Sequence, residues 1–264
     1  MDLELHNRTA LVCGSSRGLG LAAVEALAAE GCAVAMNGRD ADQLHRAVES
    51  VRNRASGTTI VGLPADVTQP DQAAGLVRRA VEALGSVDIL FTNAAGPPAT
   101  SFADAASDAW QTALESNLLS AIHLCRAAVP AMRARGWGRV IMLSSIAAKQ
   151  PLGNLILSTT ARAGLTGFAK CLADEVARDG VTVNVVCPGY MRTERVDEIV
   201  DRLARQQDRP RSEIREHLMA DIPMGRIGDP AEFGSLVAFL ASSRAAYITG
   251  TSLQIDGGMA RAVN

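Results

Sequence analysis

Thr9-Ala10-Leu11-Val12-Cys13-Gly14-Ser15-Ser16-Arg17-Gly18-Leu19-Gly20 is a short apolar, β-prone run that breaks into glycines spaced G-x-x-x-G-x-G and then enters an alanine-rich helical pattern. Glycine permits a tight turn and lets a charged group approach the backbone. The N-terminus of the following helix adds free N–H groups and the positive end of its dipole. Strand, glycine loop and helix in that order form the context a pyrophosphate-binding turn requires. Gly14, Ser16, Arg17, Gly18, Leu19 and Gly20 are therefore the candidate phosphate cradle.

Outward from this turn the same alternation repeats. Apolar runs at 9–13, 33–36, 59–63, 87–92, 139–144, 182–187 and 252–255 read as strands. Helical patterns at 18–30, 40–55, 70–84, 107–135, 158–179 and 230–241 fall between them. The strands lack polar alternation, which implies burial on both faces. The expected fold class is α/β, a doubly wound parallel sheet of about seven strands with helices on both faces. No linker or composition shift divides residues 1–264, so a single domain is expected. A charged stretch at about 193–228, with helical patches at 194–207 and 212–220, interrupts the alternation and reads as a lid-like excursion.

Composition removes several function classes. The 264 residues carry 26 basic and 28 acidic side chains, a net charge of −2, with no long basic run that could neutralise a nucleic-acid backbone. No apolar stretch reaches the length of a membrane span, and the opening Met1–Arg8 segment lacks the apolar core of an export signal. A cytoplasmic location is expected. Five cysteines form no close pair and read as reduced, buried thiols, and no metal-ligand spacing is present. Lysine occurs only twice, at Lys149 and Lys170.

The second strand ends Met36-Asn37-Gly38-Arg39. In dinucleotide-binding turns an acid at this tip takes the adenosine ribose hydroxyl, whereas a cation takes a 2′-phosphate. Here no acid occupies the tip, and Asp40 reads as the cap of the next helix. Arg39, aided by Arg17, would make charge-assisted contacts to the phosphate, so NADP(H) is expected in preference to NAD(H).

With Asp66-Val67, Thr92-Asn93-Ala94-Ala95-Gly96, Pro188-Gly189 with Thr193, and Asp256-Gly257-Gly258, the glycine spacing resembles the short-chain dehydrogenase/reductase family, closest to its 3-oxoacyl-acyl-carrier-protein reductase-like members. The resemblance covers nearly the whole chain and implies a Rossmann-type fold, a nicotinamide cofactor and a homotetramer. It places Asp66 and Val67 at the adenine, Asn93 and Ala94 along the cofactor groove, Pro188 and Gly189 against the nicotinamide, and Thr193 beside it. The family's active site is an Asn, Ser, Tyr, Lys tetrad, with the Tyr thirteen residues after the Ser and the Lys four further on. Asn117 and Ser145 match, but Ser158 and Arg162 stand where the Tyr and Lys belong. The chain resembles a divergent subgroup carrying this Ser/Arg pair beside a segment like Lys149-Gln150-Pro151.

A serine hydroxyl is a far weaker acid than a phenol, and a guanidinium holds its proton at working pH. Ser158 therefore replaces the proton donor poorly. Arg162 can anchor ribose and stabilise negative charge without relaying a proton. Lys149 is the first candidate substitute donor and Tyr190 the second; His123 reads rather as a core or interface histidine, and Cys187 as buried filler. The expected activity is NADP(H)-dependent interconversion of a small-molecule carbonyl and its alcohol at an Asn117, Ser145, Ser158, Arg162 site. The alternatives are a cofactor-binding protein with little hydride transfer and a non-redox lyase or isomerase. Helices at 107–135 and 158–179, apolar around much of their circumference, favour an oligomer.

Overall fold

The computed structural model describes residues 1–55 and 57–261; residue 56 and residues 262–264 of the expected 1–264 domain lie outside them. Among the described residues seven strands form one sheet: β1 (Thr9–Val12), β2 (Ala33–Met36), β3 (Ile60–Gly62), β4 (Ile89–Thr92), β5 (Gly138–Leu143), β6 (Val181–Pro188) and β7 (Ser252–Ile255). All neighbouring pairs are parallel, in the order β3-β2-β1-β4-β5-β6-β7. The order reverses between β1 and β4. At such a switch point two successive connections leave towards opposite faces, and a crevice opens beyond the carboxyl ends of the strands.

Nine α-helices accompany the sheet among the described residues: α1 (Gly18–Ala29), α2 (Ala41–Arg54), α3 (Pro70–Leu84), α4 (Ser107–Leu114), α5 (Ser120–Arg135), α6 (Ile156–Val176), α7 (Glu194–Gln207), α8 (Arg211–Ala220) and α9 (Pro230–Ala241). Alternate residues of β1 divide between two cores. Ala10 and Val12 join α1, α2 and α9 on one face, while Leu11 packs with α3, α5 and α6 on the other. This is why the strands read as unbroken apolar runs. Gly234 lets α9 close onto the backbone of α1 at Ala22, and Phe233 meets Phe91 edge-on at 6.1 Å. Each fully buried aliphatic or aromatic side chain in these layers contributes about 1.5–3 kcal/mol.

Three expectations need correction. The continuous helix expected over 107–135 contains a π turn at Glu115–Leu119, which adds a residue to the turn around Asn117. Burial on both faces fails at the two sheet edges, where β3 and β7 are only partly covered by the flanking layers. Cys171 is exposed on α6 between Lys170 and Asp174, on the polar stripe of that helix, whereas the other four thiols are buried.

The 193–228 segment leaves the sheet after β6 and returns before α9. Its base is closed by a parallel bridge, with Arg192 N–H donating to Gly228 O at 2.8 Å and Gly228 N–H donating to Tyr190 O at 3.0 Å. Helices α7 and α8 share a small apolar cluster of Val196, Val200, Ile214 and Leu218.

Candidate active site

The glycine loop folds as a nest. Gly14 and Gly18 adopt left-handed φ values of +56° and +59°. At Gly20 a Cβ would crowd the loop backbone, lying 2.8 Å from the Gly14 carbonyl carbon and 2.9 Å from Ser15 Cα. Ser15 locks the turn by donating its hydroxyl to Val12 O at 2.8 Å and its N–H to Asn37 O at 2.8 Å. Asn93, just beyond β4, donates Nδ2–H to Gly14 O at 3.0 Å and ties the two sides of the switch point together. Arg17 sits at the N-cap of α1 with extended backbone and supplies no side-chain cap, so the first N–H groups of the helix face the crevice uncapped.

At the tip of β2 the buried Asn37 donates Nδ2–H to Leu63 O at 3.0 Å and Ala65 O at 3.1 Å. Asp40 is committed to capping α2, accepting from Gln43 N–H at 2.9 Å. Arg39 is exposed at the crevice mouth. Arg17 pairs instead with Glu194 of α7. Asp66 accepts from the Thr68 N–H and hydroxyl at 3.0 and 2.8 Å, and Val67 beside it is buried.

One cleft of about 1350 Å³ runs from this loop to the ends of β5 and β6. Its volume exceeds the roughly 300–1,000 Å³ of an ordinary single-ligand pocket. The cleft brings together Gly14, Ser16, Arg17, Gly18, Leu19, Arg39, Asp66, Val67, Asn93, Ala94, Ser145, Ser158, Arg162, Pro188, Gly189, Tyr190 and Thr193. Gly20 stays behind it, buried beneath the loop. Gly189 is where the chain needs a missing side chain, because a Cβ would meet Asp256 Cβ at 2.8 Å.

Ser145 caps a single 3₁₀ turn after β5, its hydroxyl accepting from Ala147 N–H at 3.1 Å. Ser158 and Arg162 stand one turn apart on α6. Arg162 donates Nε–H to Ser158 Oγ at 3.2 Å and Nη1–H to Leu143 O at 3.2 Å. Burial lowers its guanidinium from the ordinary 12.5 to about 10; the charge of Arg195 adds to the fall and that of Cys187 opposes it. Tyr190 lies half-buried at the hinge of the excursion. Burial raises its phenol, Asp221 reinforces the rise and Arg202 opposes it, so the hydroxyl keeps its proton at neutral pH.

Two expected members fall outside the cleft lining. Asn117, buried in the π turn, spends its amide on Ser116 Oγ at 2.7 Å and on Ala95 O and Ala113 O at 3.3 Å. It lines a small separate void behind the cleft wall. Lys149 follows the 3₁₀ turn, and its charge acts on Cys187 at the end of β6. The Cys187 thiol is nevertheless raised by burial, as suits a packing group. Conversely, Ser144, Asn154, Arg195, Arg202 and Asp221 line the cleft without having been read from the sequence. The spacing of Arg195, Ile199, Arg202 and Gln206 on α7 was a helical stripe that could have shown the two arginines; Ser144, Asn154 and Asp221 had no such signal.

The chain belongs to the short-chain dehydrogenase/reductase family, a family of oxidoreductases: residues 14–260 match the family described as Enoyl-(Acyl carrier protein) reductase. It is 35% identical to nodulation protein G of Azospirillum brasilense over 97% of this chain and 99% of that one. Identity to the 3-oxoacyl-(acyl-carrier-protein) reductase of Escherichia coli is 34%, over 97% of this chain and 99% of the relative. The structure of L-sorbose reductase from Gluconobacter frateurii, complexed with NADPH and L-sorbose, superposes with a TM-score of 0.95 at 32% identity, covering 100% of both chains. No helix among the described residues is long and apolar enough to cross a membrane.

Proposed function

We propose that the chain is an NADP(H)-dependent oxidoreductase that interconverts a small carbonyl compound and its alcohol at an atypical Ser145, Ser158, Arg162 site. The observation that carries this reading is the single cleft joining the glycine nest and Arg39 to those three side chains and Tyr190. The uncapped N-terminus of α1 and the left-handed Gly14 and Gly18 of the nest fit a dinucleotide. The NADPH in the L-sorbose reductase structure supports the choice of cofactor. Arg39 would hold the 2′-phosphate, Asp66 and Val67 the adenine, Asn93 and Ala94 the groove, and Pro188, Gly189 and Thr193 the nicotinamide end. NADPH, when bound, supplies a hydride.

The protein's own part is to polarise the carbonyl and deliver a proton. Ser145 and Ser158 offer hydroxyls to the carbonyl oxygen, and Arg162 places positive charge beside the negative charge developing there. Tyr190 is the donor we favour, because it lines the cleft and Lys149 does not. Asn117 acts from behind by fixing the backbone at Ala95. The 193–228 excursion serves as a lid on a single domain, in a cytoplasmic homotetramer.

The test is NADPH oxidation over a panel of aldehydes and ketones. Tyr190→Phe should lower turnover by about 10²- to 10⁴-fold and leave NADPH affinity unchanged. Wild-type turnover in both Tyr190→Phe and Lys149→Ala would remove the proposed proton delivery. Cofactor binding without turnover would favour a binding protein, a reading that the lack of an acid at Ser158 supports.

A further inference from the structure

Arg162 is a buried cation without a counter-charge. Its side chain is 9% exposed, and its acceptors among the described residues are a serine hydroxyl and a backbone carbonyl, both neutral. A guanidinium has five N–H groups, so three remain for a ligand. Nη2 lies against the open face of Gly96, 3.6 Å from where a Cβ would stand, and Arg162 lines the cleft. A charge withdrawn from water without a partner is strongly unfavourable, and a ligand that supplies the partner recovers the loss.

Two further observations converge on the same place. Arg195 of α7 crosses to the next residue of that loop, donating Nη2–H to Pro97 O at 3.3 Å. It brings a second positive charge towards Arg162 and is itself only partly neutralised, by Glu198 at 3.2 Å. Ser144, 2% exposed, lines the same end of the cleft, its hydroxyl sealed beside the Cys187 thiol. The two cations around this end of the cleft make a receptor for an anion. The cofactor would not fill this role: its pyrophosphate belongs at the glycine nest, its ribose hydroxyls are neutral, and its oxidised ring is positive.

We propose that the substrate is an oxo acid, whose carboxylate is held by Arg162 with Arg195 closing over it from α7. This rests on the oxidoreductase reading above. In the reduction the carbonyl carbon gains the hydride of the reduced cofactor and its oxygen gains one proton, giving the hydroxy acid. The carboxylate is unchanged and serves only to orient the carbonyl towards Ser145 and Ser158.

The experiment compares 2-oxo and 3-oxo acids with their methyl esters by NADPH oxidation, and measures calorimetric binding of malonate and of neutral malonamide to the NADPH-loaded protein. The acids should exceed the esters by about 10- to 100-fold in kcat/KM, the range expected for hydrogen bonds to a charged group. Malonate should bind and malonamide should not. Arg162→Gln should abolish both preferences, while Arg162→Lys should keep a reduced preference. If Arg162→Gln does not fold, Arg195→Gln should still weaken malonate binding and narrow the acid-to-ester ratio. Esters turned over as well as acids would overturn the inference and leave the oxidoreductase reading standing. Absence of malonate binding at millimolar concentration would also overturn it. Malonate bound by the wild type and lost in the glutamine variants, with no carbonyl reduced, would support the anion site and defeat the oxidoreductase reading.

Discussion

Replacing Arg39 with alanine isolates the proposed basis of cofactor choice. The tip of β2 offers no carboxylate to a ribose hydroxyl: Asn37 is buried and bonded to Leu63 and Ala65, and Asp40 is held by the first turn of α2. Arg17, the other cation at the loop, is engaged by Glu194. In the proposed complex the 2′-phosphate therefore depends mainly on Arg39. Hydrogen bonds to a charged group contribute about 1.5–3 kcal/mol, and the exposure of Arg39 places its share at the lower end because solvent screens it. Arg39→Ala should raise the Kd for NADPH by about 10- to 30-fold and leave that for NADH unchanged. Fluorescence titration at low and high salt measures this directly, and the wild-type preference should shrink as salt rises. Equal weakening of both cofactors, or tighter NADH binding by the wild type, would refute the reasoning.

Gly20→Ala should lower the Tm and weaken cofactor binding by about 5- to 150-fold, because its Cβ would drive into the backbone of Gly14 and Ser15 and overpacking of this kind costs about 1–3 kcal/mol; a thermal melt and an NADPH titration on the same sample check it. Glu232 closes the capping box of α9 and is held down to about 2 by Arg226 and the Asp229 N–H. Its folded pKa lies below its ordinary 4.5, so its stabilisation is complete above about pH 4.5 and fades as pH falls towards 2. Glu232→Gln should lower the Tm at pH 7 and flatten the fall in Tm across that acid range. Light scattering at micromolar protein should give four times the chain mass, and a monomer would remove the proposed tetramer.

How much was legible beforehand differs by element. The seven strands were readable to within about two residues and the helices, apart from the break at Asn117, nearly as well, because burial on both sheet faces leaves unbroken apolar runs, as Leu11 and Val12 on opposite cores illustrate. The glycine nest was readable because left-handed φ values at Gly14 and Gly18 demand a residue type. The positions of Ser158 and Arg162, thirteen residues after Ser145 and four further on, were a matter of counting. None of these needed coordinates, since each depends on local backbone chemistry or on spacing along one element.

Tertiary structure alone decided which polar groups face one another. Lys149, one of only two lysines, led Tyr190 as the candidate donor in the sequence, yet only Tyr190 enters the cleft. The place of Asn117 behind the cleft wall has no one-dimensional signature, because the hydrogen bond from its side chain to Ala95 O joins separate elements. The same holds for Arg162 and Arg195, 33 positions apart, which meet around Gly96 and Pro97 only when α7 folds back over the sheet. Periodicity records which side of an element is apolar; where charges converge depends on loops whose paths are set by packing.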